Sequence, residues 1–201
     1  GQGGVERGTV EIARAVAEAG GRALVASAGG PMVEELEAAG ARHVTLPLDR
    51  KNPAALLAGA AALARLIRAE GVGIIHARSR FPAWSALMAA RSTGARFVTT
   101  YHGSYNEGFP GKRLYNSVMA RGDRVIAVSG HIAELVRARH GVGPDRLRVI
   151  PRGVDPARFN PAAVEPARVA ALRREWDLPD GRPVILMPAR LTRWKGQAVL
   201  L

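Results

Sequence analysis

Cysteine is absent from all 201 residues, which excludes disulfides, thiolate catalysis and sulfur-ligated metal sites. Long apolar runs are missing too. The longest, Ala54 to Ala64 before Arg65, is too short to span a bilayer and reads as a buried helix. No secretory signal opens the chain, and its start at Gly1 without Met points to residues upstream. These absences fit a cytoplasmic protein. Lysine is scarce, with only Lys51, Lys112 and Lys195, so the net charge of +12 is carried by arginine. The arginines are scattered and make no block of five or six, which argues against a nucleic-acid partner. A diffuse positive field still favours anionic sugars and peripheral contact with the anionic inner face of a membrane.

Sites with strict sequence signatures are lacking as well. No Asp-x-Asp pair occurs, and the histidines have no metal-ligand spacing, so no metal site is expected. No Ser-His-Asp arrangement or P-loop is legible. The opening Gly1-Gln2-Gly3-Gly4-Val5-Glu6-Arg7-Gly8 fails the dinucleotide fingerprint, because Glu6 stands at the sixth position and no strand precedes it.

What is present is a regular alternation. Helical patterns fit Val5 to Ala19, Met32 to Ala39, Pro53 to Glu70, Ala83 to Arg91, Lys112 to Arg121 and Gly130 to Arg139. Between them run short apolar strands at Arg22 to Ser27, Val44 to Leu46, Gly73 to His76, Arg96 to Tyr101, Arg124 to Val128 and Arg146 to Pro151. Continuously apolar strands, each followed by a helix, predict an α/β fold with a doubly wound parallel sheet. Such sheets bind ligands at the carboxyl ends of their strands. The pattern divides the chain into a Rossmann-like domain at 1–150, a proline-rich crossover and helix at 151–182, and the start of a second domain at 183–201. The second domain opens with an apolar strand, Pro183 to Met187, and a helix beginning near Lys195. Asp155 before Pro156 reads as a helix N-cap.

Four loops could carry chemistry. The glycine loop containing Gly3 and Gly4 feeds a helix N-terminus, where free N–H groups hold a phosphate or carboxylate, or simply turn the chain into the helix. In His76-Ala77-Arg78-Ser79-Arg80, Arg78 and Arg80 could grip an anionic acceptor, or be ordinary surface arginines. His76 reads as a satisfied strand-end histidine. His102, between the strand RFVTTY and Gly103, offers a neutral N–H or a general base, or a structural ring. Arg190 and Lys195 stand five residues apart between the last strand and helix, which suits a leaving diphosphate without a metal.

Together these loops resemble glycosyltransferase family four, the retaining sugar-nucleotide enzymes with two facing Rossmann-like domains (the GT-B fold). GGVERGTVEIARAVAEAGG resembles the family's glycine loop and first helix, TTYHG its His-bearing strand end, and RVIAVSGHIAELV its last amino-domain strand and helix. VIPRGVDPARFNP resembles the crossover, and PARLTRWKGQAVLL the phosphate loop of the donor domain. The resemblance implies that Gly3 and Gly4 bind the donor diphosphate or approach the acceptor, that Arg190 and Lys195 bind the departing diphosphate, and that His102 is catalytic beside the transferred sugar. The acceptor role of Arg78 and Arg80 comes from their own loop. It implies a nucleotide-diphospho-sugar donor and no other cofactor. The stretch HARSRFPAWSAL looks like enzymes of lipopolysaccharide-core synthesis, with a glycan or lipid-linked acceptor. Arg152 departs from the Asn usual at its position. The rival reading is a non-catalytic module for anionic glycans or lipid head groups. The resemblance further implies a first strand before Gly1 and an acidic donor-binding pair beyond Leu201, so residues 1–201 alone are expected to be inactive. A first strand would be central in the sheet. Its slot, between the strands at 22–27 and 73–76, is one place where Pro183 to Met187 could pair.

Overall fold

Glycine and proline set the limits of most elements in the computed structural model, which describes residues 3–157 and 159–200. Gly1 and Gln2 of the glycine loop, Arg158 of the crossover and Leu201 lie outside the described residues. Helix α1 (Gly4–Glu18) leads to strand β1 (Leu24–Ser27), α2 (Val33–Ala38), β2 (Arg42–Thr45) and the long α3 (Pro53–Glu70). The side chain of Asn52 accepts from Ala55 N–H at 2.8 Å to cap α3, proline occupies its first turn, and Gly71 ends it at φ +64°. Next come β3 (Ile74–Ala77), α4 (Arg80–Thr93), β4 (Arg96–Tyr101), α5 (Lys112–Ser117) with a 3₁₀ turn over Val118–Ala120, and β5 (Arg124–Ala127). Helix α6 (Gly130–His140), capped by Ser129 Oγ, and β6 (Leu147–Val149) complete this part.

Every ladder is parallel. β4 and β5 are the inner strands, and Thr99, Tyr101, Val125 and Ala127 on them are fully buried. Small residues let α3 and α4 meet closely. Ser85 of α4 donates to the Leu56 carbonyl at 2.8 Å, and a Cβ on Gly59 would lie 3.1 Å from Ser85 Oγ. Helix α4 begins at Arg80, earlier than the expected Ala83, because Pro82 is tolerated in a first turn that needs no N–H partner. That early start places Arg80 on the helix and leaves Arg78 on the loop before it.

The sheet differs from the single layer expected. It is broken into β1–β2 and β3–β4–β5–β6, and no ladder joins β1 to β3 among the described residues. The break falls between the two strands that the sequence reading placed on either side of a central strand. Exposed Ile74 in β3 marks the open edge. Residues 183–187, expected as a strand, run without a ladder partner among the described residues, so they do not pair with β1 or β3. A lone extended segment has no second strand to accept its backbone bonds.

Two compact units result, Gly1–Gly153 and Val154–Leu201. In the second, Asp155 does not cap a helix. Its side chain accepts from Ala157 N–H at 3.0 Å in a local turn, and the capping role passes to Asn160, ahead of a 3₁₀ turn at Pro161–Ala163. Helix α7 (Pro166–Glu175) follows, and the short α8 (Gln197–Leu200) starts only after Gly196, whose φ of +80° interrupts the preceding 3₁₀ turn at Arg193–Lys195.

The turn into β5 is a tight point of this fold. Asp123 Oδ2 accepts from Phe97 N–H at 2.8 Å, and a Cβ on neighbouring Gly122 would collide with the Arg124 carbonyl and lie 3.0 Å from Thr99 Oγ1. Gly122→Ala should therefore cost about 1–3 kcal/mol, read as a lowered midpoint in urea denaturation; an unchanged midpoint would contradict this packing.

Candidate functional site

Strand β4 delivers His102 from a buried base. Tyr101 before it is fully buried, its ring 4.5 Å from that of Tyr105, and its hydroxyl lies 3.3 Å from His140 Nε2. Burial, reinforced by Tyr105 and Glu107, pushes the Tyr101 phenol up to about 12, so it stays neutral. The segment after His102 is pinned from two sides. Arg80 lies 4.4 Å over the Tyr105 ring and donates to Oδ1 of buried Asn116 at 2.9 Å. Asn116 Nδ2 donates to the Asn106 carbonyl at 3.2 Å, and Arg139 donates to the Tyr105 carbonyl at 2.8 Å.

His102 itself meets Arg152, whose Nη2 lies 3.2 Å from Nδ1 of the ring. A guanidinium can only donate, so Nδ1 is the acceptor and the ring proton sits on Nε2. That Nε2–H is buried and has no hydrogen-bond partner among the described residues. Burial first, then the charges of Arg78 and Arg152, lower the His102 pKa from 6.5 to about 4. His76 next to it is lowered to about 4 as well, by burial and then Arg78, while its Nε2 bonds Thr100 Oγ1 at 2.8 Å. Both rings are neutral at physiological pH. The arrangement therefore offers a fixed neutral donor rather than a general base.

Helix α1 supplies the other wall. Its N-cap is Gly3, and the Glu6 carboxylate lies beside it, with Oε2 2.7 Å from where a Cβ on Gly3 would be. The Arg152 guanidinium occupies the space where a Cβ on Gly4 would be, and Arg78 Nη2 would lie 2.8 Å from a Cβ on Gly8. Arg78 Nε is buried without a hydrogen-bond partner among the described residues, and burial together with Arg152 lowers the Arg78 pKa, against the opposing pull of Glu11. Two guanidiniums and a neutral imidazole N–H thus converge at the start of a helix. Such an arrangement is chemically suited to negatively charged oxygen.

Of the residues singled out in the sequence, Gly4, Arg78 and His102 are brought together, with Gly3 capping the same helix. Arg80 is not among them, since it is spent on Tyr105 and Asn116. Arg190 and Lys195 belong to the other unit, on a loop closed by Gln197 Nε2 donating to the Arg190 carbonyl at 2.9 Å. Gly8 was given no site role, and Arg152 was noted only as a departure from the usual Asn. The other available signal for Arg152 was its place just past β6, at a strand end like Arg78 and His102.

Residues 2–158 match the family described as Glycosyltransferase Family 4. The crystal structure of a glycosyltransferase from Rickettsia africae ESF-5 superposes with a TM-score of 0.84 at 39% identity, covering 99% of this chain and 52% of that one. Anabaena HepE in complex with UDP-glucose shares the fold, with a TM-score of 0.74 at 21% identity over 100% of this chain and 53% of its own. The D-inositol 3-phosphate glycosyltransferase 1 of Catenulispora acidiphila is 26% identical over 99% of this chain and 51% of its own length. The chain thus spans about half the length of these proteins.

The ring chemistry is directly measurable. Long-range ¹H–¹⁵N spectra at pH 6.5 should show His102 as the neutral Nε2–H tautomer, and a cationic or Nδ1–H ring would contradict the geometry. Because both folded values lie below 6.5, the stability held by neutral His76 and His102 is complete above that pH and declines as pH falls towards about 4. Thermal melts across that window should fall less steeply for His102→Asn than for the native protein.

Proposed function

The chain belongs to glycosyltransferase family 4, and from that premise we propose that the whole protein is a retaining hexosyltransferase using a nucleotide-diphospho-sugar. The observation that carries this reading is the unpartnered Nε2–H of His102 between Arg78 and Arg152 at the start of α1. A sugar hydroxyl is a matching acceptor for that N–H, and the guanidiniums match phosphate or another anion. The acceptor we propose is anionic, a glycan or lipid-linked sugar of envelope polysaccharide or lipopolysaccharide synthesis. The Catenulispora relative is named for a phosphorylated acceptor, which favours an anionic one here. A cytoplasmic location at the inner face of a membrane fits this acceptor and the net charge of +12.

The reaction breaks the bond between the anomeric carbon and the diphosphate oxygen. It forms a bond from the acceptor oxygen to the same face of that carbon. His102 holds the sugar by donation from Nε2 and does not take the acceptor proton, because its Nδ1 is engaged by Arg152. The departing diphosphate takes that proton. Gly3 and Gly4 at the helix start, with Arg190 and Lys195, supply N–H groups and positive charge to the diphosphate, so no metal is required. Arg78 orients the acceptor anion. Arg80 would serve the acceptor by holding the segment next to His102 through Tyr105 and Asn116.

In the full-length protein, His102→Ala, Arg190→Ala and Lys195→Ala should each lower kcat/KM by about 10²- to 10³-fold while the circular dichroism spectrum is kept. Near-native kinetics in all three would overturn this assignment. Chelation should leave turnover unchanged; loss of activity that a divalent metal restores would contradict the metal-free leaving-group role. Binding of anionic glycan without turnover of any nucleotide-sugar would instead identify a non-catalytic binding module.

A further inference from the structure

Gly8 lies one helical turn beyond Gly4 on α1 and is buried. Neither position has a positive φ, so neither glycine is required by the backbone. What each lacks is the volume of a side chain, and in both cases an arginine uses it. A Cβ at Gly4 would collide with Nη1 of Arg152, and a Cβ at Gly8 would meet Nη2 of Arg78 at 2.8 Å. The next nearest atom to that second Cβ is Glu11 Oε2 at 4.0 Å, so nothing but the tip of Arg78 stands in its way.

We propose that Gly8 is a positioning residue: it seats the Arg78 guanidinium against α1 beside Arg152, so that the helix holds the two cations as a pair for one doubly charged oxyanion. The inference rests on the anion-binding reading of this site. Spacing by one turn sets the two seats on the same helix face. The Arg78 Nε, buried and without a partner among the described residues, supplies a donor that such an oxyanion would satisfy. The charge chemistry is shared by a diphosphate and by a phosphate monoester, the first a donor leaving group and the second an acceptor substituent.

Gly8→Ala separates this role from a structural one. Alanine improves a helix interior, and the only clash is with a flexible side-chain end, so the variant should melt no lower than the native protein. Calorimetric titration of the full-length protein with inorganic pyrophosphate and with inorganic phosphate should nevertheless show binding weakened by about 10- to 100-fold. The probe whose binding Gly8→Ala weakens more assigns the oxyanion to the donor or to the acceptor. In an Arg78→Ala background, adding Gly8→Ala should cause no further loss, because the displaced group is already gone. Arg78→Lys keeps the charge but lacks the branch that fills the seat, so Gly8→Ala should also be silent in that background. Native-like binding by Gly8→Ala, an equal loss in the Arg78→Ala background, or marked thermal destabilisation would each overturn the proposal. Failure of the native protein to bind either probe would overturn the anion reading and the seat with it.

Discussion

Parallel pairing is the constraint on which the rest of this chain depends. β3, β4, β5 and β6 run in one direction, with Ala77 opposite Thr99, Tyr101 opposite Ala127, and Ala127 opposite Val149. Every strand therefore leaves the sheet at the same edge, and the helices return the chain to the other. Arg78, His102 and Arg152 are far apart in sequence, yet each comes directly or shortly after its strand.

Once they are assembled, electrostatics decides what the site can do. Arg78 and Arg152 repel one another, and burial disfavours charge on the histidines between them. The protein resolves this by keeping His76 and His102 neutral and by bonding His76 to Thr100. His102 is resolved on one side only. Its Nδ1 is taken by Arg152 while its Nε2–H is buried without a partner, a condition that costs free energy in a resting fold and is relieved by a ligand oxygen. The same pattern repeats at Arg78 Nε. Two orphaned donors thus stand with two cations, an arrangement suited to an anion.

Rigidity at this site comes from groups that touch nothing reactive. Tyr101 is buried in the sheet, Arg80 stacks on Tyr105 and bonds Asn116, and Arg139 bonds the Tyr105 carbonyl. These contacts hold the segment that follows His102. Support of this kind lets a single imidazole be presented with a fixed tautomer and direction, which is what electrostatic preorganisation requires.

Local chemistry, readable in order along the chain, determined the alternation of elements. Gly71, Gly94 and Gly141 end helices in left-handed conformations, and Pro53 opens one. It also determined that His102 and Arg78 would stand at strand ends, because apolar runs stop where polar residues begin. Other features depended on distant partners, and only the tertiary structure could decide them. Arg78 and Arg80 are two residues apart and chemically identical, yet the start of α4 sends one to Arg152 and the other to Tyr105 and Asn116. Residues 183–187 have the composition of a strand, but a strand exists only with a neighbour to accept its bonds, and none does so among the described residues. Arg152 was marked in the sequence only by its strand end and its departure from the usual Asn, since its meaning lies in a histidine fifty positions earlier. Gly4 and Gly8 are ordinary helix residues until the arginines that fill their missing side chains are in place.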